Sequence, residues 1–220
     1  PQEILKPYLP WGTELDLWEG KCYASLVGFM FLNTKVLGLS IPFHRNFEEV
    51  NLRFYVRRQT QDGWKRGVVF IKEIVPKPAI TFIANTVYGE KYETHQMRHQ
   101  WEFTPEQLYV CYEWRPFKST AWYKMAATTD PVSLPIAIGS EEEFITEHYW
   151  GYANLGPGYT NEYQVDHPRW EVYKVQKHEI LGDFGQLYGN EFKDLLRQEP
   201  ASVFVAEGSE ISVLGKSRLT

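Results

Sequence analysis

Two β-favouring runs flank the turn Gln61-Asp62-Gly63, and this pairing constrains the fold more than any other feature of the chain. From Asn51 to Gln59, polar and apolar side chains alternate; after the turn, Arg66 to Val75 carries Val68, Val69, Phe70, Ile71 and Ile74. A period of two on either side of a Gly-containing turn specifies a hairpin. A hairpin this long has an apolar face that must be covered by more sheet or by helices. Further strands are expected at Lys21 to Phe31, at Met97 to Phe103 and Gln107 to Trp114 around Thr104-Pro105, and at Phe117 to Thr128. Trp170 to Ile180, Ala201 to Ala206 and Ile211 to Leu214 complete the set.

Three helices interrupt these runs. Pro76 and Pro78 suit a helix start, and Ile80, Ile83 and Val87 recur at helical spacing until Gly89. Ser140 followed by Glu141, Glu142 and Glu143 is a capping box. Tyr188, Phe192 and Leu195 place a third helix over Leu187 to Arg197, ending before Pro200. Neither a linker nor a repeat is evident, so the expectation is one mainly β (β-rich α+β) domain over residues 1–220. Its sheet is expected to be antiparallel and to close into a barrel, which removes exposed edges.

Composition limits the function. Aromatic residues make up 16% of the 220 residues, which excludes a disordered chain. A net charge of −5 argues against nucleic acid as a partner. Two cysteines, Cys22 and Cys111, cannot form a disulfide framework and suggest a reducing cytoplasm. No apolar stretch is long enough to span a membrane, and Pro1 to Pro10 lacks a signal-peptide pattern, so a soluble cytoplasmic protein is expected. GxSxG, GxxxxGK[ST] and GxGxxG signatures are missing, and no cofactor is expected.

The strand from Glu49 to Val56 carries the most chemical information. Alternation puts Glu49, Asn51, Arg53 and Tyr55 on one face and Val50, Leu52, Phe54 and Val56 on the other. The polar face either meets water or lines a pocket, where Arg53 would bind a carboxylate and Glu49 would orient it or act as a base. Histidines offer little: His95 and His99, on a strand, stand about 13 Å apart, Glu147 and His148 are adjacent and so face apart, and His44, His167 and His178 have no ligand-like neighbours at diagnostic spacing. Cys111 reads as a buried strand residue, and Arg57, Arg58, Lys65 and Arg66 read as a solvated hairpin tip.

The run Phe47 to Val56, then Gly67 to Phe70, Phe144 to Tyr149 and His167 to Trp170, resembles the YqjF-like family of uncharacterised conserved bacterial proteins over nearly the whole chain. This resemblance implies a fold similar to that of acetoacetate decarboxylase, an antiparallel β barrel or cone with peripheral helices and an internal cavity. Decarboxylases of that superfamily use a Schiff-base lysine in an aromatic, Gly, aromatic, Pro, Lys, Lys pattern. The corresponding stretch here is Tyr88-Gly89-Glu90-Lys91-Tyr92-Glu93, so Tyr92 holds the nucleophile's place and Lys91 the proline's. The expected function is binding of a small anionic or carbonyl-bearing molecule by Glu49, Asn51, Arg53, Tyr55, Tyr92 and His95. The alternatives are a keto-acid decarboxylase acting through Lys91 and a non-enzymatic interaction module.

Overall fold

A computed structural model describes residues 1–33 and 45–220; His44 lies outside them. The chain opens with a helical turn, α1 (Gln2–Leu5), and enters the strands β1 (Glu14–Leu15), β2 (Ala24–Phe31), β3 (Phe47–Thr60) and β4 (Gly63–Val75). After α2 (Pro78–Ile83) come β5 (Tyr92–Thr94), β6 (Gln96–Phe103), β7 (Leu108–Arg115) and β8 (Tyr123–Pro135). Then follow α3 (Glu141–Thr146), β9 (Trp150–Asn154), β10 (Thr160–Asp166) and β11 (Glu171–Leu181). Two short helices, α4 (Phe184–Tyr188) and α5 (Asn190–Lys193), precede β12 (Phe204–Ala206) and β13 (Ser212–Leu219).

These strands form two curled sheets. In the larger, the order is β1-β3-β4-β9-β10-β13, with β2 also paired to β3 and β5 to β4; the smaller runs β12-β11-β8-β7-β6. The mainly β architecture expected from the sequence is therefore present, but the sheets make a half-barrel rather than a closed one. Most ladders are antiparallel. Two short ones, β4 with β5 and β4 with β9, are parallel. A parallel return requires a crossover, and the helical segment after β4 supplies one: α2 continues as a π-helical turn, Ala84–Tyr88, that stops at left-handed Gly89.

The β3–β4 hairpin is the spine. Thr60 pairs with Gly63 across the two-residue turn Gln61-Asp62, and β3 also pairs with β2 from Ala24–Phe54 to Phe31–Phe47. Val50, Leu52, Phe54 and Val56 are completely buried on one face of β3, with Ile71 and Ile74 of β4, Trp114 of β7, Tyr123 of β8, and Phe184 and Phe192. Trp114 stacks on Tyr123 with ring centroids 5.7 Å apart. This apolar packing frees the other face of β3 for a different task.

A β-bulge in β4 sets what faces that side. Leu52 pairs with Lys72 but Arg53 pairs with Phe70, so Ile71 is the extra residue and the parity of β4 changes there. As a result Glu73, above the bulge, and Phe70, Val68 and Arg66, below it, all share the face of Asn51, Arg53, Tyr55 and Arg57.

Several segments depart from expectation. The helix over Leu187 to Arg197 is instead α4 and α5, split at Gly189, whose φ of 115° breaks the helical run while Phe192 still reaches the core. The strand read from Phe117 starts at Tyr123, because Pro116 begins a turn. The β9–β10 hairpin, around Gly156-Pro157-Gly158, is not among the strands expected from the sequence. At α3 the Ser140 hydroxyl accepts from the Glu143 N–H at 3.2 Å as a cap should, whereas the Glu143 carboxylate takes the N–H of Gly139 rather than that of Ser140.

Candidate functional site

The polar face of β3 forms one wall of an open cleft of about 2180 Å³ that extends over both sheets. Glu49, Asn51 and Arg53 line it from β3, Val27 and Phe29 from β2, Glu73 from β4 and Tyr92 from β5. Strand register assembles this wall: Phe29 pairs with Glu49, Val27 with Asn51, Asn51 with Glu73, and Glu73 with Tyr92. Directly paired residues in a sheet project to the same side.

At one end, three carboxyl groups and two phenols meet. Asn51 donates its Nδ2 hydrogen to Glu49 Oε1 at 2.9 Å, and the Tyr92 hydroxyl donates to Glu49 Oε2 at 2.9 Å. Tyr163 donates its hydroxyl hydrogen to Glu90 Oε1 at 2.8 Å. Gly151, opposite Tyr163 in the β9–β10 ladder, makes room for its ring: a Cβ there would run into the phenol. Burial drives the pKa of Glu49, Glu73 and Glu90 up. At Glu73 the repulsion of Glu90 and Glu49 adds to burial, and at Glu90 that of Glu49 does. Burial next to these acids also lifts Tyr92 and Tyr163, so both phenols stay protonated and remain donors. Two acceptors here have no partner: Glu73 Oε2 and Asn51 Oδ1, on side chains exposed by only 2% and 1%.

At the other end, the Asp16 carboxylate accepts from Arg66 Nε at 2.6 Å and from His148 Nε2 at 3.2 Å. Burial raises Asp16, but the hydrogen bonds from His148 and Arg66 outweigh it and the pKa falls below the ordinary carboxylate range. Burial instead pushes His148 down to about 4, so its imidazole is neutral at physiological pH, with Nδ1 unpartnered. Between the two ends lies Arg53. Its guanidinium sits 5.7 Å from the Tyr55 ring, its Nε is buried without a partner, and among the described residues no acid pairs with it.

The residues singled out in the sequence divide accordingly. Glu49, Asn51, Arg53 and Tyr92 come together on the cleft. Tyr55 shares their face, but its ring packs against Phe144 and His148, and its hydroxyl donates to Ser25 Oγ at 2.8 Å. His95, in the break between β5 and β6, is turned to Glu93, with Nε2 3.3 Å from Glu93 Oε2, and lies outside the cleft lining. Lys91 is exposed, its ammonium 5.2 Å from the Tyr8 ring. The basic residues at the hairpin tip are paired rather than free: Arg58 and Lys65 each approach Glu162 at 2.9 Å, Arg66 binds Asp16, and Arg57 binds Glu14. Among the described residues no three His, Cys, Asp or Glu side chains converge as metal ligands.

Glu73, Glu90, Asp16, His148 and Tyr163 escaped the sequence reading. Alternation would have found Glu73, had the bulge not broken the parity of β4. The others depend on contacts between distant segments.

The fold has counterparts among solved structures. The enduracididine biosynthesis enzyme MppR, with HEPES buffer bound, aligns with a TM-score of 0.60 at 11% identity over 86% of this chain and 72% of that one. An acetoacetate decarboxylase-like enzyme from Sphingomonas wittichii RW1 gives 0.57 at 12% identity over 99% and 84%. Acetoacetate decarboxylase from Legionella pneumophila gives 0.55 at 11% identity over 86% and 72%. At these identities the likeness is one of fold. Among curated proteins, none matches this chain in sequence. The profile of an uncharacterized conserved protein family, DUF2071, matches residues 1–210, in keeping with the whole-chain resemblance, and the chain belongs to that family.

Proposed function

We propose that the cleft binds a small organic molecule bearing a carboxylate or carbonyl group, with Arg53 holding the negative end. The observation that carries this reading is the Arg53 guanidinium, next to the cleft and unpaired by any acid among the described residues, its Nε buried and unpartnered. A buried, unsatisfied donor of this kind costs stability unless a guest completes it, and guanidinium matches a carboxylate in two-point geometry. Tyr92 and Glu49 lie two to four residues of strand away, where they can donate to or accept from the rest of the guest. Decarboxylase-like fold neighbours are consistent with a small-molecule site. A Schiff-base reaction through Lys91 has less in its favour, since that amine lies over Tyr8 and outside the cleft lining.

Thermal denaturation in the presence of a panel of keto acids and simple carboxylates tests the reading. At least one acid is expected to raise the melting temperature, and Arg53→Ala should abolish the response. No shift with any acid would refute it.

A further inference from the structure

Resting on that reading of the cleft, we propose that its guest is an α-amino acid with a large apolar side chain: carboxylate on Arg53, ammonium between Glu73 and Asn51, side chain against Val27 and Phe29. Arg53 and Asn51 are next-but-one on β3, about 7 Å apart along the strand, and Glu73 faces Asn51 directly across the ladder. Groups suited to an anion and to a cation are thus one short step apart.

Asn51 donates its amide hydrogen to Glu49, which turns its Oδ1 away, and that oxygen has no donor. Glu73 Oε2 also lacks a partner. With Glu73 ionised, two buried acceptors side by side call for a guest with several N–H donors, which a ketone or a plain carboxylate does not have. Charge gives the same answer. Glu49, Glu73 and Glu90 are buried within repelling distance of one another, the nearest cationic influences being Arg53 on Glu49 and Lys91 on Glu90. No cation figures among the influences on Glu73, whose carboxyl, beside the open acceptor of Asn51, is held toward its protonated form by burial and by the repulsion of Glu90 and Glu49. A guest ammonium would draw Glu73 into its charged form and supply three donors together. The same acids do not converge as metal ligands, which favours an organic cation there.

The hydrophobic part of the guest follows from register. Val27 and Phe29 pair with Asn51 and Glu49, line the same cleft and are half-buried. They form an apolar wall beside the polar row.

Calorimetric titration with L-phenylalanine, phenylpyruvate and 3-phenylpropionate separates the possibilities, because the three differ only at the α carbon. Phenylalanine is expected to bind about tenfold or more tightly than 3-phenylpropionate, the gain typical of charge-assisted hydrogen bonds. In Glu73→Gln, a near-isosteric change checked for folding by circular dichroism, this preference should collapse while weak binding of 3-phenylpropionate persists. Phenylpyruvate or 3-phenylpropionate binding as tightly as phenylalanine to the unaltered protein would overturn the ammonium site and leave the carboxylate reading standing. Failure of all three to bind while another acid of the panel above still raises the melting temperature would overturn the amino-acid reading alone, and no response to any acid in either assay would overturn both.

Discussion

The Tyr92 hydroxyl donates to Glu49 Oε2 at 2.9 Å, joining a strand of the hairpin to the short parallel strand that follows the crossover helix. In the resemblance to decarboxylases, Tyr92 holds the place of the nucleophilic lysine. Here that place carries a neutral phenol whose proton is committed to a buried acid.

Tyr92→Phe removes one of the two hydrogen bonds on Glu49 and leaves Asn51, with the charge of Arg53, to stabilise its ionised form. The Glu49 pKa is expected to rise further, because the Tyr92 bond is among the influences lowering it. Folding stability should drop by about 1 kcal/mol. Carboxyl titration by NMR and urea denaturation measure the two effects; a Glu49 pKa unchanged or lowered would contradict the assigned bond.

Buried acids and the buried histidine pull stability in opposite directions with pH. Glu49 and Glu90 rise from 4.5 to about 7 on folding, so the folded state binds more protons than the unfolded one across that window. Their contribution is fully present below pH 4.5 and is lost as pH rises through about 7. His148 falls from 6.5 to about 4, so its contribution is present above 6.5 and lost as pH falls through about 4. Glu73→Gln removes one raised acid and should stabilise the protein by on the order of 1 kcal/mol or more near neutral pH, with little gain in acid. Unfolding curves of the two proteins at several pH values give the difference; an equal shift at every pH would exclude a proton-linked origin.

Gly151→Ala places a methyl group inside the Tyr163 ring. The ring must move, which breaks its hydrogen bond to Glu90 and disturbs the β9–β10 ladder. A loss of about 2 kcal/mol or more is expected, the range for overpacking a closed site. Tyr163→Leu made together with Gly151→Ala should recover part of it. Thermal melting of the single and double variants checks this, and a single variant as stable as the parent would show the ring free to move.

The hairpin spine was readable because its signals are local: alternation in Asn51 to Gln59 and a turn at Gln61-Asp62-Gly63. For the same reason Glu49, Asn51 and Arg53 could be assigned to one face, and the apolar row Val50 to Val56 to the core. His95 was grouped with them, but it sits in the break between β5 and β6, turned to Glu93 and outside the cleft lining. What the sequence concealed comes from long-range geometry. Asp16 and His148 are 132 residues apart and meet only because β1 docks on the tip half of β3 while the loop after α3 returns beside it. Glu90 and Tyr163, 73 residues apart, meet where β10 passes the end of the crossover. Barrel closure failed as an inference because edge avoidance is a general tendency, whereas here β6, β12 and β13 end their sheets as edges.

The extra residue at Ile71 makes the length of β4 a determinant of what it shows to each side. Were the ladder regular here with every residue kept, Ile71 would pair with Leu52, Lys72 with Asn51 and Glu73 with Val50, so Lys72 would stand beside Asn51 and Glu73 would go into the apolar core. Setting Ile71 aside is what leaves Leu52 to Lys72 and Asn51 to Glu73. The acidic end of the cleft therefore depends on an odd count as much as on the identity of its side chains: a relative one position shorter between Phe70 and Glu73 would keep the site on a straight strand, and one of the same length without the bulge would lack it.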